Sequence, residues 1–277
     1  MISFAINHMT APKASFTELL AIARRCGCSG VELRNDLATS PIVDGRSASL
    51  GARAIQSLSE TNAVKIVALA EIVRFNQFTE HTRSMARQFC EQASRCGAEG
   101  VVLIPANDGS DPSLSLRKSQ LTQSFSELAP ILEEFDLCGY VEPLGFASST
   151  LRYKSEVVER IEAMNLSARF KLVHDTFHHH LAQEQQYFAA HTGVVHVSGV
   201  VDKSLKCTQM QDCHRVLVNE QDQLNTVRQL QALLADGFQG PVSMEVFAPE
   251  VHELPDLAVK LRDSFDFINS GLAAMVA

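Results

Sequence analysis

The chain has 277 residues, 45% of them hydrophobic, and a formal net charge of −8. Its Lys and Arg residues are unclustered, which argues against a phosphate-backbone binder with a basic stripe. No apolar run approaches the ~20 residues needed to cross a bilayer.

The opening MISFAINHMT lacks the basic region, apolar core and cleavage site of a secretory leader, so a cytoplasmic protein is expected. The seven cysteines, an odd number scattered along the chain, read as reduced thiols rather than a disulfide framework. Cys26 and Cys28 form only a C-x-C. Cys207, Cys213 and His214 lack a fourth zinc ligand, so structural cysteines are the better reading.

In chain order, strands are predicted at 2–7, 30–34, 64–70, 100–105, 139–143, 170–174, 194–198 and 241–246. Most are continuous apolar runs, such as VKIVALA and VVLIP, as expected when both strand faces are buried. Helix-like amphipathic segments separate them: FTELLAIARRC, RAIQSLSET, TRSMARQFCEQASRC, LTQSFSELAPILEEF, SEVVERIEAM, EQQYFAAH, LNTVRQLQALLADG and PDLAVKLRDSFDFINSGL. Gly30, Gly100, Gly139 and Gly240 sit where a helix gives way to the next strand. Eight such units predict one (β/α)8 TIM barrel domain over residues 1–277. A doubly wound sheet usually has fewer strands and a glycine-rich first turn, whereas NHMTAPKAS has no glycine. The longest connections follow strands 2, 4 and 7, on the face where barrel enzymes carry their active sites.

Four metal-capable side chains occupy equivalent places. Glu142 ends strand 5 in YVEPLGF, Asp175 follows strand 6 in KLVHDTFHHH, His196 lies in strand 7 in VVHVSG, and Glu245 ends strand 8 in VSMEVF. Any one of them alone is more simply a satisfied polar group. At four successive strand ends they form a hard, oxygen-rich ligand set suited to Mn²⁺, Mg²⁺, Co²⁺ or Zn²⁺.

These motifs resemble the xylose-isomerase-like barrel superfamily of sugar isomerases and epimerases, over essentially the whole chain. Within it, VELRND, the NDG after strand 4, VEPLGF, DTFHHHL and VHVSGV are similar to the inosose isomerase branch of inositol catabolism. The resemblance implies one divalent metal, Mn²⁺ first, held by Glu142, Asp175, His196 and Glu245. It also implies that His178 and Arg215 contact substrate oxygens. One departure stands out: the branch often follows that arginine with a Pro- and Gly-rich turn, whereas this chain reads VNEQDQLN.

Moving a carbonyl along a polyol passes through an enediolate, which needs a Lewis acid and a base and acid near the reacting carbons. Glu142 and Glu245 are the natural catalytic pair, their roles as base and acid left open. Glu32 and Arg34 share one strand face; they line the substrate pocket wall or pair with each other. His8 and Asn76 are rim candidates that read as polar lining. His174 should point away by strand alternation, and His179 and His180 read as surface residues at a helix start. Phe146, Phe177 and Phe247 either exclude water or pack the core.

Expected partners are a small polyol ketone or ketose, with no nucleic acid and no membrane; a homo-oligomer is left open. A ketose 3-epimerase and an inosose dehydratase are the rival chemistries. A phosphorylated substrate is disfavoured, because no phosphate cradle follows strands 7 and 8. A multi-metal abasic-site endonuclease needs histidines after strands 2 and 3, where this chain has LRND and LAEI. A sugar sensor would have no use for catalytic carboxylates on a metal.

Overall fold

The computed structural model describes residues 2–43, 46–47 and 50–274. Eight parallel strands close into a barrel: β1 Phe4–Asn7, β2 Gly30–Arg34, β3 Lys65–Val73, β4 Gly100–Ile104, β5 Cys138–Val141, β6 Phe170–Asp175, β7 Thr192–Val197 and β8 Val242–Met244. Sequence neighbours pair throughout, and β8 closes on β1 through Phe4↔Val242, Ala5↔Ser243 and Ile6↔Met244. The predicted strands match these closely; β3 runs three residues further, to Val73. A two-stranded antiparallel ribbon, Ile42–Val43 with Arg46–Ser47, leaves the barrel after β2.

The outer layer consists of α1 Phe16–Cys26, α2 Ala52–Asn62, α3 Glu80–Cys96, α4 Leu114–Glu134, α5 Lys154–Ala163, α6 Thr176–Ala182, α7 Thr226–Ala235 and α8 Leu257–Ala273. Local chemistry sets their ends. Ser15 caps α1 and is answered by Glu18 in a capping box, while Gly27 and Gly97 close α1 and α3 in the left-handed region. The sixth helix corrects an expectation. It forms at TFHHHLA directly after β6, not at EQQYFAAH, where only a short 3-10 turn at Ala189–His191 occurs. Asp175 explains the difference: its side chain accepts the Phe177 and His178 N–H groups and starts the helix at once.

Most of the apolar core lies between the helices and the outer strand faces. Inside the barrel, Ala5, Val67, Val102, Tyr140, Val173 and Val194 form a separate apolar layer. Tyr140 is its largest member. A Cβ at Gly100 would lie 2.5 Å from its ring, and one at Gly193 would lie 2.6 Å away. Gly100, at the start of β4, has no room for a side chain: a Cβ would also lie 2.4 Å from the Cys138 carbonyl oxygen. One pleat nearer the C-terminal rim, the same strands turn ionisable: Glu142 follows Tyr140, Asp175 follows Val173 and His196 follows Val194, each two residues on.

Candidate metal centre

The ladder carries each of the four side chains to one place. Asp175 pairs in register with His196, and His196 with Ser243. The peptide N–H of Glu142 donates to Leu103 O at 3.1 Å, and that of Glu245 to Val197 O at 3.0 Å. Thr10, just beyond β1, brackets Glu245: its hydroxyl donates to Met244 O at 2.8 Å and accepts from Val246 N at 3.0 Å. One ligand atom from each of Glu142, Asp175, His196 and Glu245 lies within 4.8 Å of all the others, and all four residues are buried.

His196 is the centre of the arrangement. Its Nε2–H donates to Glu32 Oε2 at 3.0 Å, which leaves Nδ1 facing inward. Around Nδ1 stand Glu245 Oε2 at 3.2 Å, Glu142 Oε1 at 3.4 Å and Asp175 Oδ2 at 4.0 Å. Nδ1 is buried and aligned for a hydrogen bond with none of them. A buried imidazole lone pair aimed among three carboxylate oxygens, with its other nitrogen held by a carboxylate, is the arrangement a metal-ligating histidine needs.

The charges agree. Burial alone would lower the His196 pKa, but Glu32, Glu245 and Glu142 outweigh it and push the ring well above its ordinary range. Burial, reinforced by the neighbouring Glu245 and Asp175 carboxylates, raises Glu142 to about 8 against the pull of His196. Burial acts the same way on Glu245, yet His196, Arg215 and Arg34 hold it well below the usual carboxylate range. Four buried carboxylates, counting Glu32, gather here, and the two nearby guanidiniums are shared with Asp36, Glu71 and Asp212. The negative charge left unanswered and the oxygen-rich donor set fit a divalent cation.

The other expected site residues divide. Glu32 is fully buried and bound to His196, below the cluster rather than on an open wall. It does not pair with Arg34, which instead grips Asp36 through Nε and Nη2, each at 2.8 Å, and reaches Glu71 and Glu245 at 3.5 Å. Arg215 is fully buried despite its unusual loop. Its Nη2 donates to Asp175 Oδ2 at 2.6 Å and Glu245 Oε2 at 2.9 Å, and its Nε to Ser198 Oγ at 3.1 Å. Phe177 and Phe247 lie on its guanidinium, with centroids at 5.1 and 4.8 Å.

His178 packs edge-on against Phe146, and its buried Nδ1 has no hydrogen-bond partner among the described residues. His8 Nε2 donates to Ala14 O, whereas Asn76 clamps Ala106 N and Thr150 Oγ1, so its amide is committed to the protein. His174 points out of the barrel as expected. His179 is buried, not a surface residue, and its ring is bound to Lys154.

Sequence reading missed Asp36, Glu71 and Asp212, the acidic partners of the two arginines. A signal existed for two of them: a short carboxylate two residues after Arg34 and another three before Arg215.

Comparison with known proteins gives the lineage. Residues 20–270 match the family described as xylose isomerase-like TIM barrel. The chain belongs to that family. Its fold is similar to a xylose isomerase domain-containing protein from Salmonella typhimurium LT2, at 27% identity and TM-score 0.85, covering 98% of this chain and 97% of that one. It is also similar to the IOLI protein with a bound zinc atom, at 18% identity and TM-score 0.83, covering 99% of each chain. An L-ribulose 3-epimerase aligns at 15% identity and TM-score 0.74, over 99% of this chain and 95% of its own. The search of curated proteins finds no match to this chain. Among the described residues, no helix is long and apolar enough to cross a membrane.

Proposed function

We propose that this chain is a divalent-metal-dependent isomerase of a small polyhydroxy ketone, with inosose (2-keto-myo-inositol) as substrate and inositol catabolism as its setting. The observation that carries the reading is His196 Nδ1, buried without a partner among the oxygens of Glu142, Asp175 and Glu245. The zinc in the IOLI structure and the sugar chemistry named for the 3-epimerase support it.

Glu142, Asp175, His196 and Glu245 hold the ion, Mn²⁺ by preference, with Zn²⁺, Mg²⁺ and Co²⁺ as alternatives. When bound, it supplies Lewis-acid stabilisation for a negative oxygen on the substrate. The protein does the rest. Glu142 and Glu245 flank the site and move the proton between neighbouring carbons. They are unequal: Arg215 and Arg34 face the two oxygens of Glu245, whereas among the described residues no guanidinium lies within ion-pair distance of Glu142. Glu142 therefore takes up a proton more readily. His178, with Nδ1 uncommitted, orients a substrate hydroxyl. Arg215 fixes Asp175 and Glu245 relative to each other, and Phe177 and Phe247 shield it from water. Glu32 acts through His196, holding its tautomer, and does not touch substrate.

The same machinery fits a ketose 3-epimerase, the reading favoured by the 3-epimerase neighbour. The deciding experiment incubates the metal-loaded protein with inososes and with free ketoses in deuterated water. An inosose should yield an isomer of unchanged oxygen content with deuterium at the new C–H and no new ultraviolet chromophore. Loss of water matching substrate consumption would make the enzyme a dehydratase. Turnover of ketoses alone would make it an epimerase.

A further inference from the structure

A second group of ionisable side chains lies behind β6, outside the barrel. Lys154 opens α5, is 4% exposed, and has its ammonium in the protein interior. Its Nζ donates to His174 Nδ1 at 2.8 Å and to His179 Nδ1 at 2.9 Å. Glu184 Oε2 stands 3.9 Å away, and the Tyr187 ring centroid 5.8 Å away.

Because a lysine ammonium only donates, both Nδ1 atoms accept, and His174 carries its proton on Nε2. That Nε2–H donates to Gln229 Oε1 at 2.9 Å, and the Gln229 amide donates to Thr176 O at 3.0 Å and Leu224 O at 2.8 Å. The hydrogen bonds therefore run in one direction from α5 to α7. Glu184 secures the near end by accepting the N–H groups of Lys154 and Ser155 at 3.1 and 3.0 Å.

The attachment points are the informative feature. His174 immediately precedes Asp175, Thr176 immediately follows it, and His179 immediately follows His178. An apolar cluster would fill this volume without the cost of burying an ammonium. Burial also lowers Lys154 to about 7 and His179 to about 3. A directional network fixes backbone position in a way that apolar packing does not.

We propose that Lys154 is a positioning residue for the mouth: through His174, His179 and Gln229 it holds the peptide units beside Asp175 and His178, and so places both side chains. This rests on the reading of Asp175 as a metal ligand and His178 as a substrate contact.

The test titrates the metal-free protein with Co²⁺ alone, reading affinity and the visible d–d spectrum, for the unaltered chain, Lys154→Met and Gln229→Met. Circular dichroism checks that each variant is folded. Both variants should bind Co²⁺ about tenfold more weakly, with altered band intensities. Gln229→Met leaves the buried ammonium paired, so it keeps the test decisive if Lys154→Met does not fold. A folded variant with unchanged affinity and spectrum would overturn the positioning role and leave the metal reading intact. Failure of the unaltered protein to bind Co²⁺ would refute the metal reading and this role with it.

Discussion

Two layers inside this barrel, one pleat apart where they share β5, β6 and β7, have opposite chemistry. The lower layer, Ala5, Val67, Val102, Tyr140, Val173 and Val194, is apolar and closed around the tyrosine ring. The upper layer, Glu32, Glu142, Asp175, His196 and Glu245, is equally buried but ionisable. Burial favours folding in the first and opposes it in the second, where each charge must be answered by another. The lower layer closes the barrel interior directly beneath the ionisable groups.

The largest effects should come from breaking the two layers separately. Tyr140→Ala removes the ring that fills the space beside Gly100 and Gly193, and should cost about 3–5 kcal/mol of stability in thermal or denaturant unfolding. Glu245→Gln or Glu142→Gln should leave the melting temperature within a few degrees yet lower turnover by roughly 10³-fold. Tyr140→Ala that unfolds like the parent would show that the buried ring does not stabilise the barrel. A glutamine variant that turns over normally would remove that carboxylate from the chemistry.

A smaller effect sharpens the boundary between the layers. Glu32→Gln keeps the shape but replaces the anion that accepts from His196. Calorimetric metal titration should show roughly 10–100-fold weaker binding with the fold intact. If Glu32 instead touched substrate, the metal affinity would hold and the Michaelis constant alone would rise.

The smallest effect concerns Lys154, behind the same strand. Burial lowers it from an ordinary 10.5 to about 7 in the folded protein, with Glu184 opposing. The other groups facing it are His174, His179 and the Tyr187 ring. Between those two values the unfolded chain binds more protons than the folded one, so this group's contribution to stability rises with pH. The stability of the parent relative to Lys154→Met should therefore increase from about pH 7 upward. A flat difference across that range would show that the ammonium is not desolvated.

The sequence made the barrel legible because its strands are buried on both faces and read as unbroken apolar runs. The four clustered side chains were legible for the same reason: a carboxylate or imidazole at the end of such a run has no cheap local explanation. What stayed hidden depends on contacts across the barrel or between distant helices. Glu32 and His196 sit on strands that are not neighbours, and only closure brings them to 3.0 Å. The burial of His179 needed Lys154, a residue on a different helix. Helix α6 begins earlier than the hydrophobic pattern suggests because Asp175 acts twice, its Oδ1 capping the helix and its Oδ2 turned to the site.

The proposed centre of Glu142, Asp175, His196 and Glu245 holds a single ion. Its most direct test is calorimetric titration of chelator-treated protein with Mn²⁺ or Zn²⁺, beside elemental analysis of the loaded form. One ion per chain is expected, lost on exchanging Asp175→Asn together with His196→Gln. Three ions per chain, or undiminished binding by the double variant, would contradict it.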